Sequence, residues 1–175
     1  SYRTEFTIPA EWKNRQVFIH FEGVKSAFYL WINGRKVGYS QGSMTPAEFN
    51  ITKYLRSEKN ILAAEVYRWS DGSYIEDQDM WRLSGIYRDV YLFSTPSVHL
   101  RDFFVRCDLD EQYRDAALKV TARMHNYSEK QAAAHTVEFS LSEPKGGLQQ
   151  LMTGNIDSIS GGADGIIEIQ AKVKN

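Results

Sequence analysis

Apolar and polar residues alternate along much of the chain with the period of two that is typical of β-strands. Residues 17–22 show this alternation, and residues 27–32 form a short, continuous apolar run that ends at Asn33-Gly34. An Asn-Gly pair favours a tight hairpin turn because both residues tolerate positive φ. The chain resumes with Val37 and Tyr39. This segment is therefore predicted to be a strand, an Asn-Gly turn and a second strand.

The same alternation predicts further strands across both halves of the chain. They are marked by Leu62, Ala64 and Val66, by Ile86, Val90 and Leu92, by Phe103 and Val105, and by residues 118–122, 137–141 and 167–173. No segment shows an apolar stripe of period 3.6, and the best helical candidate is a single turn at 51–55. Many short strands between turn residues predict an all-β fold built as a sandwich or barrel.

A domain boundary is predicted near Ser94-Thr95-Pro96. Proline interrupts a strand ladder, and all four tryptophans precede this point. We therefore predict two domains, residues 1–95 and 96–175. Loops at 142–147 and 158–165 give the second domain the spacing of a small immunoglobulin-like sandwich without a disulfide. Its final strand runs to the end of the sequence with no closing turn, so we expect this domain to be incomplete.

Charge and cysteine content narrow the possible functions. A net charge of −1, from 21 basic and 22 acidic residues, leaves no electrostatic footprint for nucleic acid or an anionic membrane. No apolar run approaches the ~20 residues that span a bilayer. Cys107 is the only cysteine, which excludes an intramolecular disulfide and a cysteine-built zinc site. It alternates with Phe103 and Val105, so we predict a buried structural thiol.

The longest predicted loop, between Trp69 and Val90, holds the candidate site. Asp71 lies just past a strand end in a Ser-Asp-Gly context. One interpretation is a turn in which its carboxylate accepts nearby backbone N–H groups. The other is a carboxylate held at the loop end to accept hydrogen bonds from sugar hydroxyls or to ligate a hard cation. The two interpretations are compatible, and the residues alone leave both open.

Three further acids, Glu76, Asp77 and Asp79, lie on the same loop. Retaining glycosidases need two carboxyl groups about 5–5.5 Å apart that flank the scissile bond. Three acids on one loop do not supply two opposed walls, so we predict that they pair with Arg82 or Arg88. The four histidines are scattered without metal-ligand spacing. No catalytic residue is predicted in this chain.

The loop also carries a family resemblance. Its motifs are Trp69-Ser70-Asp71-Gly72-Ser73-Tyr74, Glu76-Asp77-Gln78-Asp79-Met80-Trp81-Arg82, Ser84-Gly85-Ile86 and Arg88-Asp89-Val90. With Phe21-Glu22-Gly23-Val24, Ser26-Ala27-Phe28 and Asn33-Gly34, these resemble the N-terminal region of the large bacterial, lac-operon-type β-galactosidases of glycoside hydrolase family 2. The resemblance is strong over residues 2–96 and rests on strand pattern beyond them.

This resemblance implies a jelly-roll, galactose-binding-like β-sandwich followed by an immunoglobulin-like β-sandwich. In that family a (β/α)8 barrel carries the catalytic glutamates, and such a barrel needs about 250 residues. The catalytic pair and the magnesium site are therefore expected outside this chain, which should be inactive alone. The family's aspartate at the position of Asp71 contacts the galactosyl group and helps to hold a sodium ion with ligands from the barrel. Lys25 departs from the family, which often has asparagine there.

We therefore expect a non-catalytic part of a β-galactosidase, an enzyme that hydrolyses terminal non-reducing β-D-galactose residues. Its partners would be the barrel, the galactoside and other copies in a homo-oligomer, in the cytoplasm or, as an open alternative, the periplasm. Three rival hypotheses remain. The first is a stand-alone carbohydrate-binding module, and the second is the same region of a β-glucuronidase or β-mannosidase. The third is a structural interaction domain, which a buried Asp71 satisfied by backbone donors would favour.

Overall fold

A computed structural model describes residues 1–76, 79, 81–142 and 146–174. These residues form antiparallel strands with little helix, which confirms the predicted all-β sandwich class. The strands are β1 Tyr2–Thr7, β2 Gln16–Phe21, β3 Val24–Lys25, β4 Ala27–Ile32, β5 Arg35–Gln41, β6 Ala47–Asn50, β7 Lys59–Tyr67, β8 Gly85–Ile86, β9 Val90–Thr95, β10 Val98–Leu109, β11 Ala116–Asn126, β12 His135–Ser142, β13 Leu148–Ile156 and β14 Asp164–Val173. One short α-helix, α1, covers Gly72–Ile75, and 3-10 turns cover Ala10–Trp12 and Thr52–Tyr54.

The chain divides into two compact units, Ser1–Pro96 (unit 1) and Ser97–Asn175 (unit 2). Unit 1 contains a four-stranded sheet in the order β1-β7-β4-β5, a three-stranded sheet in the order β6-β2-β9 and the short pair β3-β8. Unit 2 contains a three-stranded sheet in the order β10-β11-β14 and the pair β12-β13. The domain types inferred from the resemblance stay predictions.

The predicted hairpin between β4 and β5 is confirmed. Asn33 has φ 53° and Gly34 has φ 79°, the two positive values that such a tight turn requires. The Asn33 side chain also fixes the turn in place. Its amide donates to the Tyr54 carbonyl and to Asn60 Oδ1, each at 2.8 Å, and its Oδ1 accepts the Ile61 N–H at 2.9 Å.

The core of unit 1 lies between its two larger sheets. Its members share nearly complete burial and alternate along their strands: Val17, Ile19 and Phe21 from β2, Phe28, Leu30 and Ile32 from β4, and Leu62 and Ala64 from β7. The inward positions of β2 are those that the sequence alternation predicts, whereas the sequence predicted β4 only as a continuous apolar run. Burial of these side chains stabilises unit 1 because each fully buried aliphatic or aromatic side chain contributes about 1.5–3 kcal/mol.

Unit 1 differs from the sequence prediction in several elements. The strand predicted across 86–92 is two strands, β8 and β9, which pair with different partners, β3 and β2. The single turn predicted at 51–55 is the 3-10 turn Thr52–Tyr54. Strands β1 and β6, and β13 in unit 2, were not predicted from the sequence.

The core of unit 2 joins β11 and β14 to β12 and β13. Leu118, Val120 and Met152 form one buried cluster, and Met124, Ile156 and Ile159 form another. Partly buried residues of β12 and β14 pack around them. The pair β12-β13 therefore covers β11 and β14.

The prediction that Cys107 is a buried thiol is wrong. Cys107 is exposed, and its neighbours on the same face of β10, Phe103 and Val105, are 60% and 49% exposed. The alternation of β10 correctly describes a strand with one apolar face. The physical reason for the exposure is that β12 and β13 lie over the other two strands of the sheet, and the described residues leave residues 103–109 of β10 uncovered.

In the part of the chain that the structure describes, no helix has the length and apolar character needed to cross a membrane.

Candidate functional site

Hydrogen bonds from Ser26 hold the start of the loop that follows β7. Ser26 is 1% exposed, and its backbone N–H donates to the Tyr67 carbonyl at 3.0 Å. The Ser26 hydroxyl lies 3.2 Å from the same carbonyl and 2.9 Å from the Ser70 hydroxyl. The end of β7 and the first residues of the loop are thereby tied to the start of β4.

Asp71 caps the short helix α1. Its Oδ1 accepts the Gly72 N–H at 3.1 Å, and its carbonyl accepts the Tyr74 N–H at 3.1 Å. Ser73 Oγ accepts the Ser70 N–H at 3.1 Å. Aspartate is favoured in this role because its oxygens satisfy the free donors at a helix start. The predicted turn, with the carboxylate bonded to a nearby backbone N–H, is confirmed.

Gly72 packs tightly against the capped turn. It is buried, and a Cβ atom placed there would lie 3.3 Å from Ser70 Oγ and 3.8 Å from Gln41 Nε2. An added Cβ would therefore be tight against Ser70 in the capped turn and would make an ordinary van der Waals contact with Gln41 in β5. The close packing places the Asp71 loop directly beside the Gln41 end of β5.

Asp71 itself is exposed, and its charge reaches β5. Desolvation raises the pKa of Tyr39, and the negative charge of Asp71 and the nearby Tyr29 raise it further. The Tyr39 hydroxyl donates to Gln41 Oε1. Asp71, Tyr39 and Gln41 thus form one polar surface at this end of unit 1. An exposed Asp71 does not meet the condition set for a purely structural domain.

An aromatic surface lies next to this polar group, on the outward side of β4, β5 and β7. Tyr29 lies 4.8 Å from Tyr39, 5.9 Å from Trp31 and 6.1 Å from Tyr67 between ring centroids. The Lys36 ammonium lies 3.8 Å from the Tyr29 ring centroid. Tyrosine and tryptophan offer flat apolar faces with polar tips, which suits them to interfaces. This surface was not predicted from the sequence, although residues 29 and 31 show its period of two.

Glu76 and Asp79, two acids of the Asp71 loop, have different surroundings. Both carboxylate oxygens of Glu76 lie near the Ser43 N–H, at 3.1 and 3.3 Å. Glu76 therefore ties the loop to the turn that follows β5. Asp77 lies outside the described residues, and Asp79 is exposed. The pairing predicted for these acids with Arg82 or Arg88 stays a prediction.

A small cavity lies between the turn after β5 and the Asp71 loop. Its volume is about 160 Å³, whereas pockets that enclose a drug-sized ligand measure about 300–1,000 Å³. Asp71 is not part of its wall. Lys25, the position that departs from the family, is on the wall and donates to the Trp81 carbonyl at 3.3 Å. The cavity is too small to enclose a disaccharide.

The Asp71 carboxylate has the chemistry of a ligand for a hard cation. Hard cations bind several oxygen ligands, and the Asp71 carboxylate supplies an exposed, charged oxygen. No group of three or more His, Cys, Asp or Glu residues converges within the described ranges. Asp71 would therefore supply one ligand to such an ion, together with oxygen ligands from other groups.

The chain is similar in sequence to proteins of one enzyme family. Residues 1–96 match the family model described as the sugar binding domain of glycosyl hydrolases family 2. A β-galactosidase from Priestia megaterium is 56% identical over 140 residues, which cover 80% of this chain and 14% of that protein. A β-galactosidase from Pseudoalteromonas haloplanktis is 46% identical over 169 residues, which cover 95% of this chain and 16% of that protein.

A solved structure with a similar fold is the β-glucuronidase of Bacteroides uniformis. It superposes with a TM-score of 0.89 at 26% identity, and the match covers 98% of this chain and 21% of that protein. The chain thus spans about a seventh of the length of the curated relatives described above. Because the family model matches more than half of the chain, the chain belongs to glycoside hydrolase family 2, with the sugar-binding domain of that family over residues 1–96.

Proposed function

We propose that this chain is the sugar-binding portion of a β-galactosidase and that it lends Asp71 to the rim of the galactose pocket. The observation that carries this proposal is the 46–56% identity to the two β-galactosidases described above. The catalytic carboxyls, the magnesium site and the remaining pocket walls would come from the rest of the enzyme. The chain would also contribute contacts to the homo-oligomer, in the cytoplasm or the periplasm.

The local structure suits Asp71 to this role. Its loop is held by Ser26 at one end and by the Glu76–Ser43 contact at the other. A carboxylate that is already positioned loses less entropy when it binds a ligand. A hydrogen bond from a sugar hydroxyl to a charged acceptor is worth about 1.5–3 kcal/mol. Asp71 would thus orient the galactosyl group without taking part in bond cleavage.

Asp71 would also supply one oxygen ligand to a sodium ion. The ion, when bound, adds a positive charge that a sugar hydroxyl oxygen can coordinate. The carboxylate would then hold the ion and accept hydrogen bonds from the sugar at the same rim. The exposure of Asp71 leaves its carboxylate open to both partners.

The main rival within the family is a β-glucuronidase, because the fold of such an enzyme matches at a TM-score of 0.89. The lower identity of that match, 26% against 56% for a β-galactosidase, favours the galactoside. The two are separated by assaying the whole enzyme that carries this chain, with its own catalytic domain, on p-nitrophenyl β-galactoside and on p-nitrophenyl β-glucuronide. Turnover of the glucuronide alone would favour the rival.

The test uses a chimera in which residues 1–175 replace the matching segment of the Pseudoalteromonas haloplanktis β-galactosidase, which is 46% identical. In this chimera, Asp71→Asn removes the charge and keeps the shape. We expect kcat/KM for a β-galactoside to fall about 10- to 100-fold, the equivalent of one charged hydrogen bond. We also expect a higher sodium concentration for half-maximal activity.

The matched control is Glu58→Gln, which removes an exposed carboxylate from the turn at the other end of β7. It should leave kcat/KM and the sodium dependence unchanged. Unchanged kinetics in the Asp71→Asn chimera would exclude the proposed role of Asp71.

The rival hypothesis of a stand-alone carbohydrate-binding module is tested on the isolated chain. We expect no heat when the chain is titrated calorimetrically with galactose or lactose at millimolar concentration, and no hydrolysis of a chromogenic galactoside. The pocket proposed here is completed by residues outside the chain, so strong binding to the isolated chain would favour the module.

A further inference from the structure

The small cavity of unit 1 is lined by charged groups that the role proposed for Asp71 does not use. It lies between the turn after β5 and the Asp71 loop, and its volume is about 160 Å³. Its wall carries three basic side chains, Lys25, Arg68 and Arg82, and one acidic side chain among the described residues, Glu76. Arg82 already interacts with another residue. Positive charge therefore predominates on the described wall, although the whole chain has a net charge of −1.

Ser43 places a buried hydroxyl group on the same wall. The residue is 3% exposed, and its Oγ has no hydrogen-bond partner among the described residues. Its backbone is held from two sides, because the Glu76 carboxylate oxygens lie 3.1 and 3.3 Å from its N–H and its carbonyl accepts the Tyr87 hydroxyl. Buried polar side-chain atoms nearly always have a partner. A ligand in the cavity would supply the partner that the Ser43 hydroxyl lacks.

Lys25 and Arg68 bring hydrogen-bond donors to the cavity from two separate segments. Lys25 ends β3, and its ammonium group, which has three donors, uses one of them at the Trp81 carbonyl at 3.3 Å. Arg68 follows β7, and its guanidinium group lies 5.3 Å from the centroid of the Trp69 ring. Neither cation is able to accept a hydrogen bond. Both side chains therefore require an acceptor from whatever fills the cavity.

These groups define the chemistry of a suitable ligand. Lys25 and Arg68 only donate, and the Ser43 hydroxyl donates as readily as it accepts, so an anion with several acceptor oxygens fits all three. Ammonium and guanidinium groups bind such oxyanions through short, charge-assisted hydrogen bonds. A water molecule takes up about 30 Å³ in the liquid, so the cavity has room for a five-atom oxyanion and part of its hydration water.

We propose that this cavity is a binding site for a small oxyanion, with inorganic phosphate as the probe. Lys25 and Arg68 supply the positive charge, and the Ser43 hydroxyl supplies a donor whose position is already fixed by the backbone contacts of Ser43. The carboxylate of a small organic acid has the same chemistry and is the other source of the ligand. Asp71 is not on the wall, so this site goes beyond the function proposed for Asp71 and is independent of the sugar.

The test is an NMR titration of the nitrogen-15-labelled chain with sodium phosphate, at an ionic strength kept constant with sodium chloride. We expect the amide signal of Ser43 to shift and to saturate with a Kd of about 1 mM or lower. Sodium acetate is titrated in the same way, and the anion that saturates this signal at the lower concentration identifies phosphate or a carboxylate as the ligand. If neither anion gives a saturable shift, the proposal is overturned.

Two variants remove the positive charges from the wall. Lys25→Gln and Arg68→Gln should each raise the Kd for phosphate about tenfold, because each removes a charged hydrogen bond. The matched control is Lys13→Gln, which removes the same charge from an exposed position of unit 1 outside the cavity. It should change the Kd less than about twofold, because distant exposed charges are screened. An equal rise in all three variants would mean that the anion responds only to net charge, and would overturn the proposal.

Ser43→Ala separates binding from folding. It removes a hydroxyl that has no partner among the described residues, so the Tm should not fall, whereas the Kd for phosphate should rise several-fold. A lower Tm with an unchanged Kd would show that the hydroxyl serves folding, and would overturn the proposal. Asp71→Asn should leave the Kd unchanged, so failure of the Asp71 proposal, which is measured by the kinetics of the chimera, is distinguishable from failure of this one.

Discussion

The two units of the chain build their cores to different degrees. Unit 1 has one cluster that joins two sheets, in which Leu30 and Ile32 are completely buried. The described part of unit 2 has two small clusters, and Phe103 and Val105 in its first strand face solvent. The apolar side of β4 in unit 1 is covered, whereas the apolar residues 103–109 of β10 in unit 2 are not covered by the described residues.

This difference shows what an alternating pattern means physically. An alternating pattern indicates that one side of a strand is apolar enough to be buried. It does not indicate which other element packs against that side. For β4 the cover comes from within unit 1. For β10 the described residues do not supply it, so the same kind of pattern coexists with exposure.

The comparison is tested most strongly by truncating one side chain in each unit. Leu30→Ala should lower the free energy of unfolding by about 2–5 kcal/mol, because it leaves a cavity in a closed core. Phe103→Ala in the isolated chain should cost less than about 1 kcal/mol, because its ring is already largely exposed. Urea unfolding followed by tryptophan fluorescence for unit 1 and by circular dichroism for both units gives the two values. Equal decreases in the free energy of unfolding for the two variants would contradict the proposed difference between the two cores.

A second prediction concerns a feature that the two units share. Asn60 and Asn126 are each 0% exposed. Asn60 Oδ1 accepts the Arg56 N–H at 2.8 Å, and the Asn126 amide donates to the Ile159 carbonyl at 3.0 Å. Replacing either with Ala should cost about 1–3 kcal/mol, because buried backbone groups would lose their partners.

Similar costs at the two asparagines would sharpen the comparison, since they would place the difference between the units in the apolar layer rather than in the anchored loops. The control is Asn155→Ala, an exposed position in unit 2 that should change the free energy of unfolding by less than about 0.5 kcal/mol. A negligible effect at Asn126 together with a large one at Asn60 would instead show that unit 2 is loosely held throughout.

Acid should act on unit 2 through two carboxyl groups. The Arg114 N–H and neighbouring backbone donors lower the pKa of Asp110, and the hydrogen bond from Lys119 lowers the pKa of Glu168. A lowered pKa in the folded state stabilises the protein above the unfolded-state values of about 3.9 for Asp and 4.3 for Glu. This contribution is lost as the pH falls through the lowered pKa values of the folded state.

We therefore expect the stability of unit 2 to decrease as the pH falls below about 5, and to decrease less in an Asp110→Asn variant. All four tryptophans belong to unit 1, so the circular dichroism change that precedes any fluorescence change reports unit 2. If the stability of unit 2 decreases equally with falling pH in the Asp110→Asn variant and the original chain, Asp110 does not contribute to the acid response.

The smallest expected effect concerns Asp71 and Tyr39. Asp71→Asn should lower the pKa of Tyr39 only part of the way to its ordinary value, because desolvation, the larger cause, remains. An NMR titration of carbon-13-labelled tyrosine measures this shift. Glu58→Gln, at the other end of β7, should leave the pKa of Tyr39 unchanged. An equal shift in both variants would show that the charge of Asp71 does not act on Tyr39 more strongly than that of a distant carboxylate.

The sequence predicts those parts of the fold that depend on local chemistry. The β4–β5 hairpin follows from Asn33-Gly34, and the capping role of Asp71 follows from a short acid before a glycine. Helix α1 was missed because four residues give no periodicity. Strand β13 was missed because its sequence, with glycine and several polar residues, lacks clear alternation.

Other features depend on contacts between distant segments. Tyr39 and Gln41 lie far from Asp71 in sequence, and only the sheet order places them beside it. The exposure of Cys107 likewise depends on where β12 and β13 lie. The outward aromatic surface is visible in the sequence as an alternation, but Tyr67 joins it only through the pairing of β7 with β4.

The Asn33-Gly34 turn also affects the chemical stability of the protein over time. Asn-Gly is a sequence prone to spontaneous deamidation, because the following N–H can attack the side-chain amide and glycine does not hinder the attack; asparagine is accordingly among the thermolabile residues. In this chain three hydrogen bonds, to Tyr54, Asn60 and Ile61, hold that amide in place. Deamidation therefore requires the turn to open first, and the chemical lifetime of the protein is linked to the stability of unit 1.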